Sequence, residues 1–283
     1  HRDLHSFPTR RSSDLQPPVN VPYEFFLVGG AKMSSSKGLG AAARTMADLL
    51  PPEVLRFLMI RTDPKKAVNF STDAPYLVKL YNDFDRLLHK VQQETADQED
   101  QQLFASARVA ANDQAYAAVN FQLLMALLQI PHLDAEQEVA QRLTDAGHTL
   151  TAQDYAQIRA RIRSAGYWLE HFATDEDKFS IQETLPAGAQ QLDAAQRYFL
   201  HTLADRLIDI DWHEAAIQTC IFEVARHTPL SQAQAFAAIY QVILGKAQGP
   251  KAGALLSFLA ADFVLPRLRA LPYAPADFVQ QVS

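Results

Sequence analysis

The stretch APYLVKLYNDFDRLLHKV, residues 74–91, decides the fold class. Its apolar residues Leu77, Leu80, Tyr81, Phe84, Leu87, Leu88 and Val91 recur at steps of three and four, the spacing of one helix face. Working outward, the polar run Asp97 to Gln102 reads as a connection, and Val119, Leu123, Leu124, Leu127 and Leu128 mark a second helix that ends near Pro131. Thr151 to Asp154 (TAQD) is a capping-box variant ahead of Tyr155, Ile158 and Ile162. Residues 174–186 are polar and separate two helical units. Helices are expected beyond them at about 190–209, 213–227, 231–244 and 252–270, with Ser231 as an N-cap and Gly245 just past a C-terminus. Upstream, Pro51 and Pro52 suit a first helical turn, where a missing N–H is harmless, and Val54, Leu55, Leu58 and Met59 form its apolar stripe. Only PYEFFLVGG, residues 22–30, reads as a strand. The expected fold is mostly α.

Composition sets outer limits. A chain of 283 residues with 48% hydrophobic content can bury a real core, so disorder is excluded. Cys220 stands alone, which rules out a disulfide scaffold. No apolar run approaches the roughly 18–20 residues of a membrane helix, so no membrane partner is expected. A net charge of −6 means that any polyanion must meet local basic patches.

The chemistry concentrates in Lys32-Met33-Ser34-Ser35-Ser36-Lys37-Gly38, between Gly29, Gly30 and Gly40. Glycines allow backbone to approach a ligand closely. Two ammonium groups, serine hydroxyls and backbone N–H groups suit a polyphosphate, including charge that develops on a triphosphate attacked at its α-phosphorus. By composition alone, a flexible surface loop with two solvated lysines is the preferred reading of the heptad.

Order adds information. Residues 32–36 resemble the KMSKS signature of class I aminoacyl-tRNA synthetases, a loop that follows a strand and precedes a helical region. Together with PPEVLRFL (51–58), YNDFDRL (81–87), YWLEHFATDEDKFSI (167–181) and LGKAQGPKAGALLSFLAADFV (244–264), the chain resembles the archaeal-type class I lysyl-tRNA synthetases over residues 20–270. The resemblance implies an N-terminally truncated piece of a cytoplasmic lysine–tRNA ligase, with the genuine sequence expected to start near Gln16. It implies ATP with Mg²⁺, lysine and tRNA(Lys) as ligands. The end of a catalytic domain would occupy residues 16–50, a stem-contact and helical-bundle region 51–180, and a helical anticodon-binding cage 181–283. It also implies catalytic roles for Lys32 and Lys37, with ATP held by Lys32, Met33, Ser34, Ser35, Ser36, Lys37 and Gly38. The signature's second lysine falls on Ser35; Lys37, two residues later, is a candidate partial substitute, while role by role only Lys32, Met33, Ser34 and Ser36 are matched. Glutamyl-tRNA synthetases, with a related helical cage, and a non-catalytic RNA-binding module are the rival readings; KMSSSKG and GPKAG favour lysine.

The family's HIGH motif and lysine pocket precede the loop, and no stretch here resembles that motif. A single loop cannot assemble the geometry that adenylation requires, so residues 1–283 are expected to form no lysyl-adenylate. Residues 5–15, HSFPTRRSSDL, resemble the translation of a common short-read sequencing adapter, and residues 1–15 are expected to be foreign to the fold.

Four further groups invite a functional reading. Arg159 and Arg163 share a helix face that could touch RNA phosphates, with Arg161 between them; a solvated face is the preferred reading. Lys246, Lys251, Arg267 and Arg269 surround the glycine-containing segment 245–253 and either meet RNA or stand as scattered charges. Tyr167 and Trp168 could stack on an unpaired base, but core positions are expected. His213, Cys220 and His227 lack the further ligands zinc would need, and Glu170, Asp175, Glu176 and Asp177 read as a solvated loop.

Overall fold

A computed structural model describes residues 21–32, 43–109 and 118–273. The strand expected at 22–30 narrows to β1 (Phe26–Val28), which turns through Gly29 and Gly30 into β2 (Ala31–Lys32). Pairing is antiparallel, with Leu27 opposite Lys32 and Val28 opposite Ala31. Both glycines have positive φ (56° and 78°), the conformation a two-residue hairpin turn demands and a side chain resists. On its other edge β1 pairs in parallel with β3 (Val68–Phe70), giving the order β2-β1-β3.

Helices dominate the rest of the described structure. α1 (Ala43–Leu49), α2 (Pro52–Ile60), α3 (Ala74–Gln92), α4 (Gln98–Ala107), α5 (Phe121–Leu127), α6 (Ala135–Asp145) and α7 (Ala152–His171) surround a first core. Leu49, Leu58, Phe70, Leu77, Tyr81, Phe121 and Trp168 are its fully covered centre. α8 (Ala194–Leu207), α9 (Glu214–Arg226), α10 (Gln232–Leu244), α11 (Ala252–Ser257) and α12 (Ala261–Leu268) surround a second, centred on Phe199, Leu203, Ile221, Ile239 and Leu256. Ile130, just beyond α5, packs into the second core although its helix belongs to the first.

Caps explain most boundaries. Thr151 accepts from the Asp154 N–H while the Asp154 carboxylate accepts from Thr151 N–H at 2.8 Å, so the TAQD box is real. Asp193 with Gln196 and Ser231 with Gln234 repeat the device. Gly245 ends α10 at φ 69°.

Three expectations are corrected. Residues 97–102 are not a connection: Asp97 caps α4 by accepting from the Asp100 N–H at 2.8 Å, and Phe104 and Ala107 then give the polar helix a buried edge. The single helix expected at 252–270 is two helices, because Ala260 is extended (ψ 138°) and the Leu259 carbonyl accepts from the Trp212 indole at 2.9 Å. In α2 the buried stripe is Val54, Phe57 and Leu58, and Met59 is half exposed.

The polar segment between the cores is gripped from both sides. From the first unit, Gln129 Oε1 accepts from Phe179 N–H at 2.7 Å. From the second, Lys246 Nζ donates to the carbonyls of Asp175 and Lys178, and Arg267 donates to those of Glu183 (2.6 Å) and Thr184 (3.0 Å). Among the described residues no helix is long and apolar enough to cross a membrane.

Candidate functional site

The hairpin is the scaffold of the candidate site. Gly29 N–H donates to Phe70 O at 2.8 Å, and Gly30 N–H to Asn69 Oδ1 at 2.9 Å, so β3 clamps the turn from which β2 departs. Phe70 in turn is fully buried, faces Phe26 at 6.4 Å and meets Tyr76 edge-on at 5.7 Å. The entrance to the heptad is thereby fixed in the first core. Lys32 stands at the end of β2, its backbone registered against Leu27. Met33, Ser34, Ser35, Ser36, Lys37 and Gly38 lie outside the described residues. The chain is described again from α1, whose Met46 and Leu49 are buried and whose last carbonyl, Leu49 O, accepts from the Tyr81 hydroxyl at 3.0 Å. Both ends of the segment that carries the heptad are therefore tied to one core. Asn69 was not anticipated; a polar residue at the centre of a three-residue strand gives no sequence signal of this role.

The other candidate cations have mostly been claimed by the protein. Arg161 is buried, not solvated: it forms a two-pronged ion pair with Asp85 and donates to Val119 O. Burial works to lower its pKa, but the Asp85 charge and hydrogen bonds outweigh this and hold it raised. Its guanidinium also lies 5.4 Å from the centre of the Tyr81 ring, which stacks on Phe121 at 4.1 Å. Arg159 pairs with Glu136 at 2.8 Å. Arg159 and Arg163 are both exposed, and of the three Arg163 alone makes no hydrogen bond or ion pair among the described residues.

The C-terminal basic set is likewise engaged. Beyond Lys246 and Arg267, Arg269 pairs with Asp205, and Lys251 with Glu214 at 2.9 Å. The glycines beside them serve packing: a side chain at Gly249 would meet Leu244 and Tyr240 within 2.8 Å, and one at Gly253 would meet Gln218 at 2.7 Å. Trp168 is core, as expected, with its indole N–H donating to Thr72 O at 2.7 Å. His213 caps the start of α9 and His227 its end, while burial raises the pKa of the Cys220 thiol between them. Thr174 and Asp177 close a turn in the acidic loop, with Thr174 N–H donating to Asp177 at 2.9 Å.

Glu214 is the centre of a contact between the two units. It accepts from Lys251 and, through its other oxygen, from Arg142 of α6 at 2.8 Å; the Arg142 guanidinium also lies 4.4 Å from the Phe258 ring centre. Partial burial raises the Glu214 pKa, but hydrogen bonds from Lys251 and Arg142 prevail and hold it below the ordinary carboxylate value of 4.5. A depressed carboxylate stabilises the fold above its unfolded pKa, and that contribution is lost as pH falls through the folded one. The urea midpoint of the unmodified chain should therefore fall more steeply below pH 4.5 than that of Glu214→Gln. Parallel acid profiles would refute this.

Known proteins match this chain in two segments. Residues 9–110 match the family described as tRNA synthetases class I (K), and residues 164–272 the anticodon binding domain family. The lysine–tRNA ligase of Archaeoglobus fulgidus is 30% identical over 264 residues, which is 92% of this chain and 50% of that protein. That of Thermococcus kodakarensis is 29% identical, covering 89% of this chain and 49% of its own length. Lysine–tRNA ligase 1 of Methanosarcina acetivorans is 29% identical over 280 residues, 92% of this chain and 52% of that protein. The chain spans about half the length of the curated relatives it matches. A class I tRNA synthetase segment thus stands ahead of an anticodon-binding domain, and along both the chain is similar to archaeal lysine–tRNA ligases.

Proposed function

We propose that this chain supplies the ATP-facing loop and the tRNA-binding helices of a cytoplasmic class I lysine–tRNA ligase. In the whole reaction, the lysine carboxylate attacks the α-phosphorus of ATP and pyrophosphate leaves. A terminal ribose hydroxyl of tRNA(Lys) then displaces AMP from the adenylate and takes the aminoacyl group. Lys32 and Lys37 offset the charge of the phosphates, Lys37 standing in for the lysine that Ser35 replaces. Met33, Ser34, Ser35, Ser36 and Gly38 shape the loop and supply hydroxyl and backbone donors. The order of parts carries this reading: a clamped hairpin leads into KMSSSKG, then a helical core, then the unit that matches an anticodon-binding domain. Residues 16–50 would be the end of the catalytic domain, 51–180 the stem-contact and bundle region, and 181–283 the anticodon cage, with 1–15 foreign to all three.

ATP with Mg²⁺ is the ligand that this reading assigns to the loop, in keeping with the match to class I synthetases. Two measurements test the proposal. ATP–pyrophosphate exchange by residues 1–283 should stay at background, and exchange above it would overturn the view that one loop is insufficient. An anticodon stem-loop of tRNA(Lys) should bind the chain at least about tenfold more tightly than one with a changed anticodon, a difference of about 1.4 kcal/mol. Equal binding of the two would remove the lysine-specific reading.

A further inference from the structure

Between α8 and α9 the second unit carries an open groove of about 990 Å³. Its floor is apolar: Cys220 and Val224 are buried, and Ala216 and Ile210 are half-buried. Its rim carries two basic side chains, Arg206 and His227, and two acids, Asp209 and Glu223, all exposed. The Arg206 guanidinium makes no hydrogen bond or ion pair among the described residues. A short connection makes α8 and α9 antiparallel neighbours, so Tyr198 and His227 mark one end of the groove and Ile210 the other. At the Tyr198 end stands the last described residue of the chain. The Tyr273 ring lies 5.6 Å from that of Tyr198 and 5.4 Å from that of His201, while Arg197 donates to Pro272 O at 3.5 Å and His201 Nε2 meets Leu271 O at 2.8 Å. Residues 274–283, APADFVQQVS, follow outside the described residues and beyond residue 272, where the match to the anticodon binding domain family ends. They carry apolar Phe278, Val279 and Val282 and one acid, Asp277.

We propose that residues 274–283 form a strap along this groove, with Phe278 over Cys220 and Val224 and Asp277 towards Arg206. The reach is sufficient: from its His227 end back to Cys220, α9 rises about 10 Å at ~1.5 Å per residue, and an extended chain from Tyr273 to Phe278 spans up to about 17 Å. A tether that starts at the groove's mouth makes docking intramolecular, so a few apolar contacts suffice to hold the strap. The strap thereby controls the access of oxidants and electrophiles to Cys220, the one cysteine of the chain.

The rate of Cys220 alkylation by iodoacetamide, followed by mass spectrometry well below the melting midpoint of every variant, tests this. Because the chain has a single thiol, no second site obscures the reading. Truncation after Tyr273 should speed alkylation about tenfold, and Phe278→Asp in the full chain should do nearly the same. Phe278→Leu keeps an apolar contact and should stay within about twofold of the unmodified chain. Should the truncated chain fail to fold, the two Phe278 variants decide alone. Equal rates in the unmodified and Phe278→Asp chains would overturn the strap, whatever truncation does. Dilution separates the strap from a second copy seated in the groove: the unmodified chain should be protected equally at all protein concentrations. Protection that fades on dilution would overturn the proposal.

Discussion

Arg161→Met should cost the protein about 3–5 kcal/mol of stability, read as a shift of the urea midpoint at pH 7. The size follows from what remains after the substitution. Asp85, with only 13% of its side chain exposed, keeps its charge beneath α7 and loses the two-pronged partner that compensated its burial. Val119 O loses a donor in the same step, and Tyr81 loses the cation that lies against its ring. The pair links α3 to α7 across 76 residues, so the damage extends over the first core. Arg161→Met combined with Asp85→Leu should be markedly less harmful than Arg161→Met alone, because no uncompensated charge stays behind. A single-substitution loss below about 1 kcal/mol, or a double variant worse than the single, would contradict this account.

Trp168→Ala should cost a similar 3–5 kcal/mol. The indole is 2% exposed and among the largest wholly covered side chains of the first core, and it carries a hydrogen bond to Thr72 O. Removing it opens a void that joins the cleft of about 420 Å³ where Trp168, Met125 and Gln129 face Phe179 and Pro250. Trp168→Phe should lose only about 1–2 kcal/mol, since most volume stays and Thr72 O alone goes without its donor. Thermal midpoints and near-ultraviolet circular dichroism of the two variants check the order. Equal losses would mean that the hydrogen bond, not the volume, dominates.

Sequence reading reached the fold class because helical periodicity is a local signal. Leu77, Leu80, Tyr81, Phe84, Leu87 and Leu88 are the buried face of α3, as their spacing predicted. Ser231 and Gly245 bound α10 because capping also depends on near neighbours. What escaped was set by contacts distant in sequence. The break between α11 and α12 depends on Trp212 reaching Leu259 O, and the burial of Arg161 depends on Asp85. Neither partner is visible from the local pattern. For the candidate site, the heptad was legible as order and composition, and its clamp was not: Asn69 lies 39 residues from the glycine it holds. The basic residues near the C-terminus read as a possible RNA surface, whereas Lys246, Lys251, Arg267 and Arg269 each bind an oxygen of the protein itself.

Ile130 has a consequence for how this protein could have been assembled in evolution. Its side chain completes the second core from a position that precedes the whole of that core's own helices by more than sixty residues, α8 beginning at Ala194. A recombination event that exchanged everything after the polar segment would import a bundle fitted to a different plug. The two units can therefore be inherited separately only if residue 130 changes in step with the surface it fills. Chimeras made at that segment should need a matched substitution there before they regain a native melting transition.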